Sequence, residues 1–237
     1  MRSRTRAPNR LMDLRELREP WFAGILRRLD ALTEQESISY LHPSKRWEYP
    51  WALDRAHLHP HSRVLDAGCG ASIFPVFLAR LGHRVTAVDL SVPTGLNAFH
   101  QVDVNYVPAA ITELPFADNS FDAVFCISVI EHLGHQGVAA ALRELRRVLR
   151  PGRLLLVTTD YYEDADARLW YEGEGRRFPV DWAFFDEQRL RRHLLQAPGL
   201  AVSGDIDLNA DWERIRAEMR RFHGYPYTSV GVALEKV

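Results

Sequence analysis

The run Arg63-Val64-Leu65-Asp66-Ala67-Gly68-Cys69-Gly70, answered by Arg84-Val85-Thr86-Ala87-Val88-Asp89, decides the fold of this chain. Each is a short apolar segment with β-branched residues, bounded by charge or glycine, and so predicts a strand. The first ends in a glycine turn and the second in an acid. Between them, Phe74 to Leu81 has the length and apolar content of a crossover helix. Together they make a βαβ unit, which presents a ligand site at the carboxyl ends of its parallel strands.

The spacing carries chemistry. Gly68 and Gly70 allow a sharp turn and a close approach of backbone to ligand. The N–H groups that open the following helix attract a carboxylate or phosphate. Asp89 stands 19 residues beyond Gly70, where a carboxylate can accept from both hydroxyls of a ribose. The alternative is a tight turn beside a surface aspartate with no ligand. Strand, turn, helix, strand and acid in sequence favour the cofactor reading.

A dinucleotide fingerprint wants a third glycine where Ile73 stands. The pattern instead resembles the glycine motif of class I S-adenosylmethionine-dependent methyltransferases. Three further blocks follow in that family's order: Leu114-Pro115-Phe116-Ala117-Asp118-Asn119-Ser120-Phe121-Asp122, Val129-Ile130-Glu131-His132-Leu133, and Arg147-Val148-Leu149-Arg150-Pro151-Gly152. Over residues 63–159 the chain is similar to the broad ubiquinone and menaquinone biosynthesis group, of methyltransferase type 11. The resemblance implies an α/β, Rossmann-like fold: a seven-stranded, mostly parallel sheet with an antiparallel last strand and a helical N-terminal cap. It implies S-adenosylmethionine as cofactor and S-adenosylhomocysteine as product. Residues 1–60 are then a helical extension and 61–237 the methyltransferase domain.

By the same resemblance, Asp66, Gly68, Cys69, Gly70, Asp89, Leu90, Ala110, Ile111 and Ile127 are cofactor contacts. The family commonly has an acid four positions before the leucine of its Leu-Pro-Phe block, bonded to the adenine amino group; here that position is Ala110. Adenine is then expected on the backbone near Ile111, with apolar contact from Leu90 and Ile111. Trp47 and Tyr49, in an aromatic cluster before the first strand, are either a packing clasp or a cover over the methionine end, with a neighbouring cation as a further candidate. Glu131 and His132 are the catalytic candidates, His132 because its ordinary pKa suits proton transfer near neutrality. Their alternative role is to orient the loop. Small-RNA methyltransferases carry a similar block with an extra glutamate ligating a metal; Ser128 occupies that position, so no metal is expected.

Composition bounds the rest. The chain has 237 residues, 46% of them hydrophobic, and a net charge of −1. That is enough for one α/β domain with additions and gives no case for nucleic acid, whose partners are basic. No apolar stretch approaches the ~20 residues of a membrane helix. Cys69 and Cys126 form no disulfide or zinc pattern, so the expected compartment is the cytoplasm. Sequence carries no sign of oligomeric state.

Several segments are less regular. Arg2, Arg4, Arg6 and Arg10 mark a basic tail, preferred here to a transit peptide. Leu11 to Leu29 has helical spacing broken at Pro20, suggesting helix to about Ser37. Pro93 and Gly95 interrupt the second crossover. Arg143, Arg146, Arg147 and Arg150 read as a solvated helix face. Thr159 to Asp181 reads as a substrate lid, with Tyr161, Tyr162 and Trp170 lining it or packing beneath it. Leu200 to Leu208 and Ser229 to Lys236 predict the last two strands, and the turn Tyr225-Pro226-Tyr227 reaches toward the substrate. The expected reaction is methyl transfer to a small acceptor, oxygen preferred to nitrogen or carbon. A cofactor-binding protein without catalysis, or a nicotinamide-dependent oxidoreductase, are the alternatives.

Overall fold

The structure is a computed structural model that describes residues 7–35, 41–92, 97, 100–165, 170–173, 176–179, 183–222 and 227–237. Expectations for Arg2, Arg4 and Arg6, the helix end near Ser37, the Pro93–Gly95 interruption and Tyr225-Pro226 lie outside the described residues.

The predicted βαβ unit is present as β2 (Arg63–Ala67), α3 (Phe74–Arg80) and β3 (Arg84–Asp89), preceded by β1 (Asn9–Leu11), α1 (Pro20–Gln35) and α2 (Lys45–Ala56). It continues through β4 (Val104–Pro108), β5 (Phe121–Ile127), α4 (Gly134–Val148) and β6 (Leu149–Tyr162). A hairpin of β7 (Trp170–Gly173) and β8 (Arg176–Pro179) follows, then α5 (Glu187–Leu190, continuing as a π-turn to Leu195). The chain closes with β9 (Leu200–Val202), β10 (Ile206–Asp207), α6 (Trp212–Phe222) and β11 (Tyr227–Lys236).

Along the main sheet the order is β10-β1-β11-β6-β5-β2-β3-β4, with β9 also on β11. Strands β4, β3, β2, β5 and β6 are mutually parallel, and β11 runs antiparallel to β6. This is the expected class I arrangement. Its central strands are continuous apolar runs because helices cover both faces; Phe125, Leu65 and Leu155 are fully buried.

Two differences have physical causes. The sheet has nine strands among the described residues, not seven, because the predicted sixth strand divides into β9 and β10 and the N-terminal segment adds β1. Asn9 makes that join. Fully buried, its amide donates to Ser203 O and Asp205 O at 3.0 Å and accepts from Ala233 N–H at 2.7 Å. The region before residue 60 is therefore not purely helical, and its first strand belongs to the sheet.

The second difference concerns the lid. Tyr161 and Tyr162 continue β6 rather than opening a loop, because β11 pairs as far as Tyr227 opposite Tyr162. Both are buried, Tyr161 stacked on Trp212 and Tyr162 edge-on to Phe184. They take the packing role that sequence left open. The Trp170 backbone pairs with Pro179 in the hairpin; its side chain lies outside the described residues.

The solvated-arginine reading is likewise corrected for Arg147. Its guanidinium donates to Leu114 O at 2.9 Å and Phe116 O at 2.7 Å and pairs with Asp118 and Glu144. Glu144 accepts from Leu114 N–H at 2.8 Å, so α4 holds the Leu-Pro-Phe loop from both ends.

The N-terminal segment is anchored through one buried carboxylate. Glu16 takes both Nε and Nη2 of Arg10 at 2.8 Å and Trp47 Nε1 at 2.9 Å, and Arg10 also lies over the Trp47 ring. Removing one partner of a buried charged network leaves the others unsatisfied. Glu16→Ala is expected to lower unfolding free energy by about 3 kcal/mol, measured as a shifted urea midpoint with unchanged slope.

Candidate functional site

The Gly68–Gly70 turn sits at the carboxyl ends of β2 and β3. Gly68 N–H and Cys69 N–H both donate to Val88 O, at 2.7 and 2.9 Å. Gly68 has φ 82° and Gly70 φ 50°, a region that disfavours side chains. A Cβ at Gly68 would meet the Val129 methyls at 2.5 Å, whereas one at Gly70 would meet nothing within 4 Å. The first glycine is required by packing, and the second faces open space. Gly70 N–H donates to Asp89 Oδ2 at 2.8 Å, which fixes the carboxylate beside the turn.

Below the turn lies a cavity of about 150 Å³ lined by Lys45, Tyr49, Asp66, Gly68, Cys69, Ser72, Phe74, Ile127 and Ser128. Asp66 is the informative member. It is buried, and its Oδ2 has no hydrogen-bond partner among the described residues. Buried polar atoms are nearly always paired, so an orphan acceptor on a cavity wall asks for a donor. Burial pushes the Asp66 carboxyl up to about 7, with Lys45 opposing the rise and Asp89 adding to it. Burial also pushes the Cys69 thiol up to about 12, so it is no nucleophile at neutral pH.

The cavity's far wall comes from α2. Tyr49 stacks on Phe74 at 4.3 Å between ring centres and is hydrogen-bonded with Ser72. Lys45 Nζ pairs with Glu48 Oε2 at 2.7 Å, and Ser128 donates to Glu48 Oε1 at 2.9 Å. Burial favours the neutral form of Glu48, yet Lys45 and the hydroxyls of Ser128 and Ser229 hold its carboxyl below the usual range.

Glu131 and His132 lie in a 3-10 turn, Ile130–Leu133, directly after β5. The Glu131 side chain is buried and accepts from Thr159 Oγ1 at 3.1 Å. Burial raises its carboxyl to about 7, and burial beside Glu131 and Glu48 raises Asp160 well above the carboxylate range. His132 is half-buried, and burial together with Lys45 lowers its pKa. It is a neutral imidazole at physiological pH, able to accept a proton.

The structure thus brings Asp66, Gly68, Cys69, Ile127 and Tyr49 together on one cavity, with Gly70 and Asp89 at its rim. Ala110 and Ile111 follow β4 on the same side of the sheet, where Ala109 N–H donates to Asp89 O at 2.9 Å. Leu90, next to Asp89, is 78% exposed. Trp47 is not on the cavity: it is fully buried, stacked on Trp51 at 5.8 Å and bonded to Glu16. Lys45, Ser72, Phe74 and Ser128 were not singled out from sequence. Lys45 is the neighbouring cation anticipated in general terms; Ser128 has φ 54°, a backbone state with no signature in its residue type.

The fold is that of class I methyltransferases. The chain carries a methyltransferase domain: residues 65–157 match the family of that description. It is 45% identical over 98 residues to a malonyl-[acyl-carrier protein] O-methyltransferase of Erwinia pyrifoliae, covering 41% of this chain and 37% of that protein. It is 34% identical over 147 residues to a ubiquinone biosynthesis O-methyltransferase of Xanthomonas oryzae pv. oryzae, covering 58% of each. The chain spans about half the length of such curated relatives. Among solved structures, a Burkholderia thailandensis 1,6-didemethyltoxoflavin-N1-methyltransferase with bound S-adenosylhomocysteine superposes with TM-score 0.61 and 21% identity, over 91% of this chain and 89% of that one.

The orphan oxygen fits the ammonium group of S-adenosylmethionine or its product. A bound cation favours the Asp66 carboxylate, so binding releases a proton wherever that group would otherwise be protonated. Affinity for S-adenosylhomocysteine is therefore expected to fall as pH drops below about 7, by up to about tenfold per unit. Asp66→Asn should weaken binding and flatten that dependence, read by calorimetry across pH; a wild-type affinity constant from pH 5.5 to 8 contradicts the assignment.

Proposed function

We propose that this protein transfers the methyl group of S-adenosylmethionine to an oxygen atom of a small-molecule acceptor. The observation that carries the reading is the buried, unpartnered Asp66 oxygen under a glycine turn whose second N–H is held by Asp89. Asp66 would hold the ammonium group and Lys45, on the same cavity, the carboxylate. The remaining lone pairs of Asp89 would take the ribose hydroxyls, and Leu90 and Ile111 the adenine faces. The bound cofactor supplies an electrophilic methyl carbon.

The chain's own contribution is placement and proton removal. Holding the acceptor in line accounts for much of the rate in such a transfer. His132, neutral at pH 7 and in the turn after β5, would take the proton of an acceptor hydroxyl. Glu131 acts through its bond to Thr159, fixing the turn that carries His132. The O-methyltransferase names of the relatives support an oxygen acceptor. We read the acceptor as a small molecule rather than nucleic acid, given a net charge of −1, and the setting as cytoplasmic. No helix among the described residues is long and apolar enough to cross a membrane.

The test is transfer of a tritiated methyl group to a panel of phenols, carboxylic acids and amines. Transfer to a hydroxyl is expected, with His132→Ala lowering kcat by about 10²–10⁴ and leaving S-adenosylhomocysteine binding intact; a carboxylate acceptor, already ionised at neutral pH, would need no base and the variant would keep its rate. Transfer to amines alone would overturn the oxygen assignment. Saturable binding of NADH in place of S-adenosylhomocysteine would overturn the class of reaction.

A further inference from the structure

A second cavity, wider than the one at the glycine turn, lies away from it. A cleft of about 1020 Å³ opens at the other end of the strands, where the first residues of β2, β3 and β5 begin. Five residues of β2 separate the two ends, about 15 Å of extended chain. The crossover from β4 to β5, residues 109–120, forms no helix, and its residues Pro115, Phe116 and Ala117 line the cleft. Thr86 and Asn105, register partners on β3 and β4, also line it.

Its charge is one-sided. Arg63, Arg80, Arg84, His61 and His83 line it against one lining acid, Asp103. Asp122 and Asp118, which lie nearby in sequence, are already engaged by Arg150 and Arg147. Arg63 and Arg84 are register partners across the parallel β2–β3 ladder, so two exposed guanidinium-bearing chains stand side by side. Neither side chain forms an ion pair among the described residues. Like charges directly opposite on adjacent strands repel. His83 Nδ1 is buried without a hydrogen-bond partner among the described residues. A repelling arginine pair, a donor-capable orphan nitrogen and a wide cleft share one chemical complement, an anion with several oxygens.

We propose that this cleft is a second binding site, for the diphosphate or phosphate group of a small molecule, held by Arg63 and Arg84. Paired guanidinium groups match phosphate oxygens by charge-assisted, bidentate hydrogen bonds. Phe116 and Pro115, on the same wall, give an organic remainder an apolar surface. The site lies at the strand ends opposite the methyl-transfer cavity, so its ligand is an effector or a second substrate portion and not the cofactor.

The probes are inorganic pyrophosphate and ADP, titrated calorimetrically into protein saturated with S-adenosylhomocysteine at about 50 mM salt, where surface charge is weakly screened. Saturable binding of at least one probe is expected, about tenfold or more weaker in Arg63→Ala and in Arg84→Ala. Affinity for S-adenosylhomocysteine should be the same in all three proteins. Without a probe, Arg84→Ala should melt no lower than wild type, because it removes a repulsion; this shows that weaker binding is not unfolding. Arg63→Glu should abolish binding. No saturable heat from either probe overturns the proposal, and so does binding that both alanine variants leave unchanged.

Discussion

The hydrogen bond from Gly70 N–H to Asp89 Oδ2 ties the end of β2 to the end of β3, and the candidate site is arranged about it. Two adjacent parallel strands normally diverge into separate loops at their carboxyl ends. Here the turn after β2 bends back, its N–H groups taking Val88 O and the Asp89 carboxylate. That bend needs positive φ at Gly68 and Gly70, and it needs Val129 to fill the space a side chain at Gly68 would occupy. The third of the four motif blocks, after β5, is thereby in contact with the first.

The rest of the cavity depends on α2, and α2 depends on residues far from it. It presents Lys45 and Tyr49 to the cavity, while the buried Trp47 and Trp51 anchor it through Glu16 and Pro8 O. A Cβ at Gly231 of β11 would meet the Trp51 ring at 2.5 Å, so helix and strand lie as close as glycine allows. The N-terminal strand, the Arg10–Glu16 pair and β11 together hold the helix that walls the cavity. One cation, Lys45, faces a group of buried carboxyls, Asp66, Glu48, Glu131 and Asp160, with opposite consequences for each: Glu48 stays charged and the others are driven toward the neutral form.

What could be read in the sequence was what short-range chemistry determines. The apolar runs of β2, β3 and β5 and the glycine turn are local patterns, and each is present. β1 and the break between β9 and β10 were not legible, because strands of three and two residues carry no periodicity and are set by Asn9 and their partners. α2 was hidden by Pro50 and by burial of Trp47 through Ala52 on all sides, which erases the helical period. The end of β6 at Tyr161 and Tyr162 was hidden because an aromatic, acidic composition resembles a loop until a ten-residue partner strand is known to cover it. The Arg147 clamp on the Leu-Pro-Phe loop joins residues about thirty apart, beyond any spacing rule.

The measurement that bears most directly on the account is calorimetric titration of S-adenosylhomocysteine into the wild-type protein and Asp89→Ala. The account predicts saturable one-to-one binding to the wild type. It predicts a loss of affinity of about a hundredfold in the variant, since a carboxylate accepting charge-assisted and hydroxyl hydrogen bonds is removed from both turn and ligand. Equal affinity in the two proteins would contradict the placement of the ribose at Asp89, and no binding to the wild type would contradict the site as a whole.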